Sequence, residues 1–276
     1  MARIVFLGTG GGRHTAMFQA RSTGGMVLED SGTRINVDPG PGALTNMMRI
    51  GFSPYATDAV VVTHCHPDHY SDAEVLVEGM CRGGMRRRGA LCGSVTVLDG
   101  GHGYVSCLSP YHQRLPQERH VLTPGDSVTI GGIRMDATES DHGDPTTVGL
   151  RFHTSGGVVS FVGDTGYSDE IARQHVGSRV LVLPVTTPDD ERIHHHLCTE
   201  DAVEFVKIVK PDLAVFVHLG LLMLSVGPDE QARGVEESTG VRCVAGEDLM
   251  EITLGNSISI STMPVRGGGW NRDWVF

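Results

Sequence analysis

The segment Thr63-His64-Cys65-His66-Pro67-Asp68-His69 sets three imidazoles and a carboxylate within six residues. Packing of a polar core does not require such a density, and metal ligation does. The segment follows Ala59-Val60-Val61-Val62, a continuous apolar run rich in β-branched residues that reads as a strand buried on both faces. A second such run, Leu213-Ala214-Val215-Phe216-Val217, also ends at a histidine, His218. At an irregular strand-to-helix turn, alternation aims His64 and His66 at one point and Asp68 and His69 at a second nearby. One segment thus offers ligands for two metal ions. Imidazole and carboxylate suit Zn²⁺ and also Mn²⁺ or Fe²⁺, so ligand type leaves the metal open. The competing reading, histidines satisfied inside a polar core, fails on their number and placement.

The elements that must carry these groups are short strands and few helices. Ile4-Val5-Phe6-Leu7 reads as a buried strand running into the turn Gly8-Thr9-Gly10-Gly11-Gly12. This is not a nucleotide loop, because it lacks both the G-x-G-x-x-G spacing before an amphipathic helix and a P-loop lysine. Arg13 and His14 in this first loop are candidates to face a cleft. Met26–Glu29 and Arg34–Val37 read as strands joined by the hairpin turn Asp30-Ser31-Gly32-Thr33. Asp38-Pro39-Gly40-Pro41-Gly42 then breaks the ladder before a helix through Met48. A helix is expected from about Asp72 to Cys81, and short strands and turns from Val121 to Leu183. A further helix is expected over Thr199–Val209, with Thr199 as N-cap, Glu200 and Asp201 in the first turn, and Pro211 ending it. With no linker rich in Pro, Ser or charge, residues 1–276 are expected to form one domain.

A chain of 276 residues with 39% hydrophobic residues and a formal net charge of −11 is globular, and it is poorly suited to a broad grip on nucleic acid or anionic membrane. No apolar run is long enough to cross a bilayer, and the opening run is too short for a signal peptide, so a soluble, cytoplasmic protein is expected. Six cysteines without a C-x-x-C pair suggest free thiols, with neither a disulfide framework nor a zinc ribbon.

The histidine-rich segment and its surroundings resemble the metallo-β-lactamase superfamily, whose five motifs occur in order: Asp38, then His64, His66, Asp68 and His69, then His142, Asp164 and His218. The resemblance implies a four-layer αββα sandwich, of the α/β (α+β) class. It implies that His64, His66 and His142 bind one metal, that Asp68, His69 and His218 bind the other, that Asp164 bridges both, and that Asp38 supports a ligand. Asp164 stands where a lactamase-type site has cysteine, and a flavodiiron site would have glutamate in place of His66. His142 with the following Gly149-Leu150-Arg151 is similar to the ribonuclease Z and cyclic phosphodiesterase branch rather than to glyoxalase II. In that branch a histidine before a helix supplies an acid, and His196 is the match, with its neighbours His194 and His195 as alternatives.

The resemblance implies a hydrolase with two divalent metal ions, Zn²⁺ first, that share a hydroxide at neutral pH. Asp68, His196 and Asp38 are the expected catalytic residues beside the ligands. The expected substrate is a small or cyclic phosphodiester or a short RNA end. A thioester or lactone hydrolase and a non-catalytic metal-binding protein are the alternatives. His142 and Asp164 stand 22 residues apart, room for a hairpin but not for the arm with which ribonuclease Z clamps transfer RNA. Asp164 to His218 is likewise too short for a β-CASP insertion. Arg82, Arg86, Arg87 and Arg88 are candidates to cap the site and bind an anion, and Tyr111 and His112 to line a lid. Trp270 and Trp274 are expected to pack on the domain or on a homodimer partner.

Overall fold

A computed structural model describes residues 1–266; Trp270 and Trp274 lie outside the described residues. The first part of the chain supplies β1 (Ala2–Phe6), β2 (Met26–Asp30), β3 (Thr33–Val37), β4 (Ala59–Val62), β5 (Ala90–Ser94) and β6 (Glu118–Leu122). A second sheet follows from β7 (Ser127–Ile130), β8 (Ile133–Glu139), β9 (Val148–Thr154), β10 (Gly157–Phe161), β11 (Val180–Thr187), β12 (Leu197–Cys198), β13 (Leu213–Val217) and β14 (Cys243–Ala245). The chain then returns through β15 (Met250–Leu254) and β16 (Ile258–Thr262) to the first sheet, whose order is β16-β15-β1-β2-β3-β4-β5-β6. The second sheet runs β14-β13-β11-β10-β9-β8-β7, with β12 paired to β11.

Alternation explains why the apolar runs are continuous. Ala59 and Val61 of β4 face the core between the sheets, with Leu213, Val215 and Val217 of β13 in the same core. Val60 and Val62 face the outer layer instead, where α2 (Ala43–Ile50) and α4 (Ala73–Met80) bury Met47, Leu76 and Val77. On the far side, Ala214 and Phe216 meet α8 (Thr199–Val209) and α10 (Pro228–Thr239). A strand covered on both faces leaves no polar position in its repeat. The fully buried Phe205 of α8 anchors this layer, and its truncation to alanine is expected to cost about 3–5 kcal/mol. This is the αββα layering expected above.

Shorter helices sit at turns: α1 (Arg13–Phe18), α3 (Pro67–Tyr70), α5 (Val95–Leu98), α6 (Pro110–Gln113), α7 (Asp169–Gln174) and α9 (Leu221–Val226). Among the described residues no helix is long and apolar enough to cross a membrane. Three local expectations change. The glycine turn leads into α1. The second helix runs to Ile50 rather than Met48. Cys198, not Thr199, caps α8: Asp201 reaches back to the Cys198 backbone N–H, while the Thr199 hydroxyl has no partner. The interval between His142 and Asp164 is filled by the β9–β10 hairpin.

Strands β3 to β6 run parallel, as do β10, β11, β13 and β14. The carboxyl ends of two such strands carry the motifs: Asp38 directly follows β3, and His218 directly follows β13. Side chains delivered there converge outside the strand ends, where open α/β sheets place their ligands.

Candidate metal centre

The seven ligand candidates meet in two groups. His64 Nε2 lies 3.0 Å from His66 Nδ1, which lies 3.1 Å from His142 Nε2. In the second group, Asp68 Oδ2 is 3.7 Å from His69 Nε2 and 3.5 Å from His218 Nε2. One oxygen joins the groups: Asp164 Oδ2 is 3.0 Å from His218 Nε2, 3.4 Å from His69 Nε2, and 3.9 Å from the Nε2 atoms of both His64 and His142. His69 Nε2 is buried without a hydrogen-bond partner and lies beside these two carboxylates. Imidazole nitrogens and carboxylate oxygens gathered at such spacings are the donor set of a divalent cation. The residues fit the metal that the motif implies.

Each ring is aimed from behind. Asp38 Oδ2 is 2.9 Å from His69 Nδ1, and its two oxygens accept from the Thr63 N–H and hydroxyl at 2.7 Å each. The Thr63 hydroxyl also lies 3.1 Å from His64 Nδ1, and the Thr186 hydroxyl lies 2.9 Å from His218 Nδ1. His142 Nδ1 donates to the His195 carbonyl at 3.1 Å. Such partners set the tautomer and raise ligand basicity. Asp38 and His218 both sit at positive φ, 50° and 56°, a strained conformation for residues other than glycine that surrounding bonds must enforce. Fully buried Asp144 accepts from the Cys65 N–H at 2.9 Å and so fixes the turn between His64 and His66.

Two glycines allow the close approach. A Cβ on Gly11 would lie 2.1 Å from the His218 ring, and one on Gly40 would lie 1.8 Å from the Asp68 carbonyl oxygen. The N–H of Gly12 donates to Asp68 Oδ2 at 2.9 Å.

The centre is electrostatically set to hold positive charge. Burial disfavours the Asp164 carboxylate, but His218 and His69 outweigh it and hold its pKa well below the usual range. Asp68 is likewise held low against burial, chiefly by His69 and His218. Burial pushes His218 down, yet Asp164 and Asp68 raise it to about 9. His142, where burial dominates, falls to about 4. Burial lowers His69 as well, yet Asp164 and Asp68 raise it well above the usual imidazole value.

A cavity of about 790 Å³ opens on the centre. It is lined by His66, Asp68, Asp164 and His218, by His196, and by Arg13 and His14 of the glycine turn. Of the three adjacent histidines, His196 is the one at the centre: its Nε2 is 3.9 Å from Asp164 Oδ2, and its Nδ1 donates to the His194 carbonyl at 3.1 Å. His195 Nδ1 instead lies 3.1 Å from Asp141 Oδ1, and the His194 ring lies against that of His195, tilted by 37°.

The arginines of 82–88 do not reach the cavity. Arg88 donates to the carbonyls of Tyr55, Thr57 and Met80 and pairs with Asp58, Arg82 lies over the Tyr55 ring, and Arg87 donates to the Pro116 carbonyl. Arg88 thus buttresses the loop, while Arg86 is exposed and stands outside the cavity lining. Nor do Tyr111 and His112 form a lid there, since His112 is held by Ser109, Glu74 and Glu78. Sequence reasoning missed Thr63, Thr186 and Asp144, single polar residues at strand ends and turns with no signature. It also missed the apolar part of the cavity wall, Ile193, Leu221 and Leu222.

Comparison with known proteins agrees with this geometry. A family model described as the Beta-lactamase superfamily domain matches residues 33–219. An uncharacterized protein of Methanocaldococcus jannaschii is 35% identical over 92% of this chain and 95% of its own length. A ribonuclease Z of Methanopyrus kandleri is 34% identical over 51% of this chain and 47% of that enzyme. The metallo-beta-lactamase fold protein YhfI of Bacillus subtilis shares the fold with a TM-score of 0.75 at 15% identity, covering 90% of this chain and 98% of that one.

Proposed function

From the premise that the chain belongs to the β-lactamase superfamily and is a metal-dependent hydrolase, we propose that it is a phosphodiesterase with two divalent ions, Zn²⁺ first among them. Its substrate would be a small or cyclic phosphodiester or an RNA end. His64, His66 and His142 would hold one ion and Asp68, His69 and His218 the other, with Asp164 touching both. Divalent ions bound there would supply Lewis acidity and a water acidic enough to give hydroxide near neutral pH.

The chain's own groups do the rest. Asp38 orients His69 through its 2.9 Å contact, and Thr186 orients His218. Arg13 and His14 offer donors to phosphate oxygens. The observation that carries the phosphodiester reading is His196, an imidazole in the same cavity that belongs to neither ligand group named above, while lying close enough to His142 and Asp164 to form a further cluster with them. Its Nδ1–H bond to the His194 carbonyl fixes the ring. Nε2, 3.9 Å from Asp164 Oδ2, would carry the proton that a departing alkoxide requires, and a pKa lowered chiefly by burial, against the pull of Asp164, would make that proton easier to give up. A good leaving group has no such need. The M. kandleri relative named ribonuclease Z supports the same substrate class.

The test compares leaving groups in His196→Ala, with metal content measured on the same samples. Cleavage of a diester with an alkoxide leaving group should fall by about 10²–10⁴, while bis(p-nitrophenyl) phosphate and bound metal change little. Equal loss on both substrates would remove His196 as the acid, and hydrolysis of a thioester probe alone would remove the phosphodiesterase reading.

A further inference from the structure

The cavity at the metal centre measures about 790 Å³, whereas a phosphoryl group needs roughly 80–90 Å³, the share of about three waters in the liquid. Most of the space is therefore not taken by the group being cleaved. Part of its wall is apolar and stands in water: Ile193, Leu221 and Leu222 are 50%, 36% and 45% exposed. Large apolar side chains exposed together beside a polar centre mark a binding surface.

Their positions are fixed by backbone rather than by packing of their own. Leu219 N–H donates to the Thr9 carbonyl at 2.9 Å, Gly11 N–H to the Leu219 carbonyl at 3.2 Å, and Gly220 N–H to the Thr186 carbonyl at 3.0 Å. These bonds tie the start of α9 to the turn that carries Arg13 and to the strand that carries Thr186. Leu221 and Leu222 are thereby held in the cavity that the reacting group must enter. Charge in the cavity is scarce. Beyond the candidate ligands and His196, Arg13 and His14 are its basic side chains, and the chain carries a net charge of −11. A polyanion gripped along its backbone needs a run of phosphate contacts, which this cavity does not offer.

We infer that the substrate presents a single phosphate to the metal centre and lays an uncharged apolar or aromatic group of several carbons against Ile193, Leu221 and Leu222. This deepens the phosphodiester reading and rests on it for the identity of the cleaved group. It selects a compact diester with one greasy ester arm over the end of a long RNA.

The test separates the two. Metal-loaded protein is titrated calorimetrically with methyl-, butyl- and hexylphosphonate, which bind without being cleaved. Affinity should rise about fourfold per buried methylene, compounding to about 10³ from methyl to hexyl if all five are covered. The double variant Leu221→Ser, Leu222→Ser should flatten that slope and leave methylphosphonate affinity and metal content unchanged. Both positions are exposed, so the fold should tolerate it. Phenylphosphonate beside hexylphosphonate tells an aromatic group from an alkyl chain. A flat slope in the parent protein overturns the inference. So does a double variant that keeps the slope while shifting the sedimenting species from dimer to monomer, because the wall is then a contact between two copies. Cleavage of bis(p-nitrophenyl) phosphate is scored separately. A slope without cleavage sustains this inference and removes the phosphodiesterase reading, and cleavage without a slope does the reverse.

Discussion

Gly11→Ala is the sharpest perturbation of the centre, because it adds one methyl group at a residue that is no candidate ligand. Its Cβ would lie 2.1 Å from two atoms of the His218 ring and 2.5 Å from a third. Ordinary carbon contacts begin at about 3.5 Å, so the ring or the turn must retreat by about 1.4 Å. Metal–ligand distances tolerate about 0.2 Å. The strain is several times what the second ligand group can absorb. His218 cannot retreat freely either, since Thr186 holds its Nδ1 and its backbone already sits at positive φ. Overpacking of this kind costs about 1–3 kcal/mol, within the stability of a typical domain, so the chain should fold. Metal content should be read by mass spectrometry on folded protein, and affinity by competition with a chromogenic chelator. The expected result is at least a 10–100-fold loss of affinity, the range for disturbing a ligand's support, with the far-UV spectrum unchanged. Gly143→Ala is the control. It too adjoins a candidate ligand, His142, but its Cβ would meet nothing within 4 Å, so it should behave as the parent. If Gly11→Ala keeps parental metal affinity and activity, His218 does not ligate from the position described, and the assignment of the second group is wrong.

Three further outcomes can be checked. Fully buried His175 has a pKa lowered to about 3, chiefly by burial. Between the unfolded value near 6.5 and about 3 the unfolded chain binds a proton that the folded chain refuses, so stability falls as pH falls, by about 1.4 kcal/mol per unit. Urea unfolding at pH 7.5 and 5 should show a loss of stability in the parent that exceeds the loss in His175→Gln by about 2 kcal/mol. Arg88→Ala strips donors from three carbonyls and a partner from Asp58, and it should cost about 2–3 kcal/mol while leaving KM unchanged, which a denaturant curve and steady-state kinetics would show. Metal must displace the proton that Asp164 holds on His218, whose pKa is about 9. Affinity should therefore fall about tenfold per pH unit below that value for each proton displaced, and calorimetry in buffers of different ionisation enthalpy should register proton release.

What could be read from the chain depended on how narrowly chemistry restricts residue type. Metal ligation accepts few side chains, so His64, His66, Asp68, His69, His142, Asp164 and His218 stood out, and the structure brings all seven together. The strands that deliver them were legible for a similar reason: a run such as Val180-Leu181-Val182-Leu183 admits no polar residue when both faces are covered. Support for the ligands is less restrictive. A threonine hydroxyl, a backbone carbonyl or an aspartate can each steady an imidazole, so Thr186 and the His195 carbonyl left no mark. The basic stretch misled because four arginines in seven residues look alike on paper whether they bind an anion or, as Arg88 does, tie down carbonyls of their own chain.

The cavity wall was hidden by resemblance to a core. Leu221, Leu222 and Met223 are adjacent apolar residues at the start of α9, yet of the three only Met223 is fully covered, while Leu221 and Leu222 are 36% and 45% exposed. Hydrophobic pattern predicts that such residues leave water, not which partner covers them. Met223 is covered by the outer layer of the second sheet. Leu221 and Leu222, tied by backbone bonds to the turn that carries Gly11, face the space in front of the candidate ligands. Their exposure is unfavourable in the free protein and, on the inference drawn above, would be relieved by an apolar group arriving with the substrate, so that one contact would account both for the breach of the burial pattern and for selectivity in the cavity.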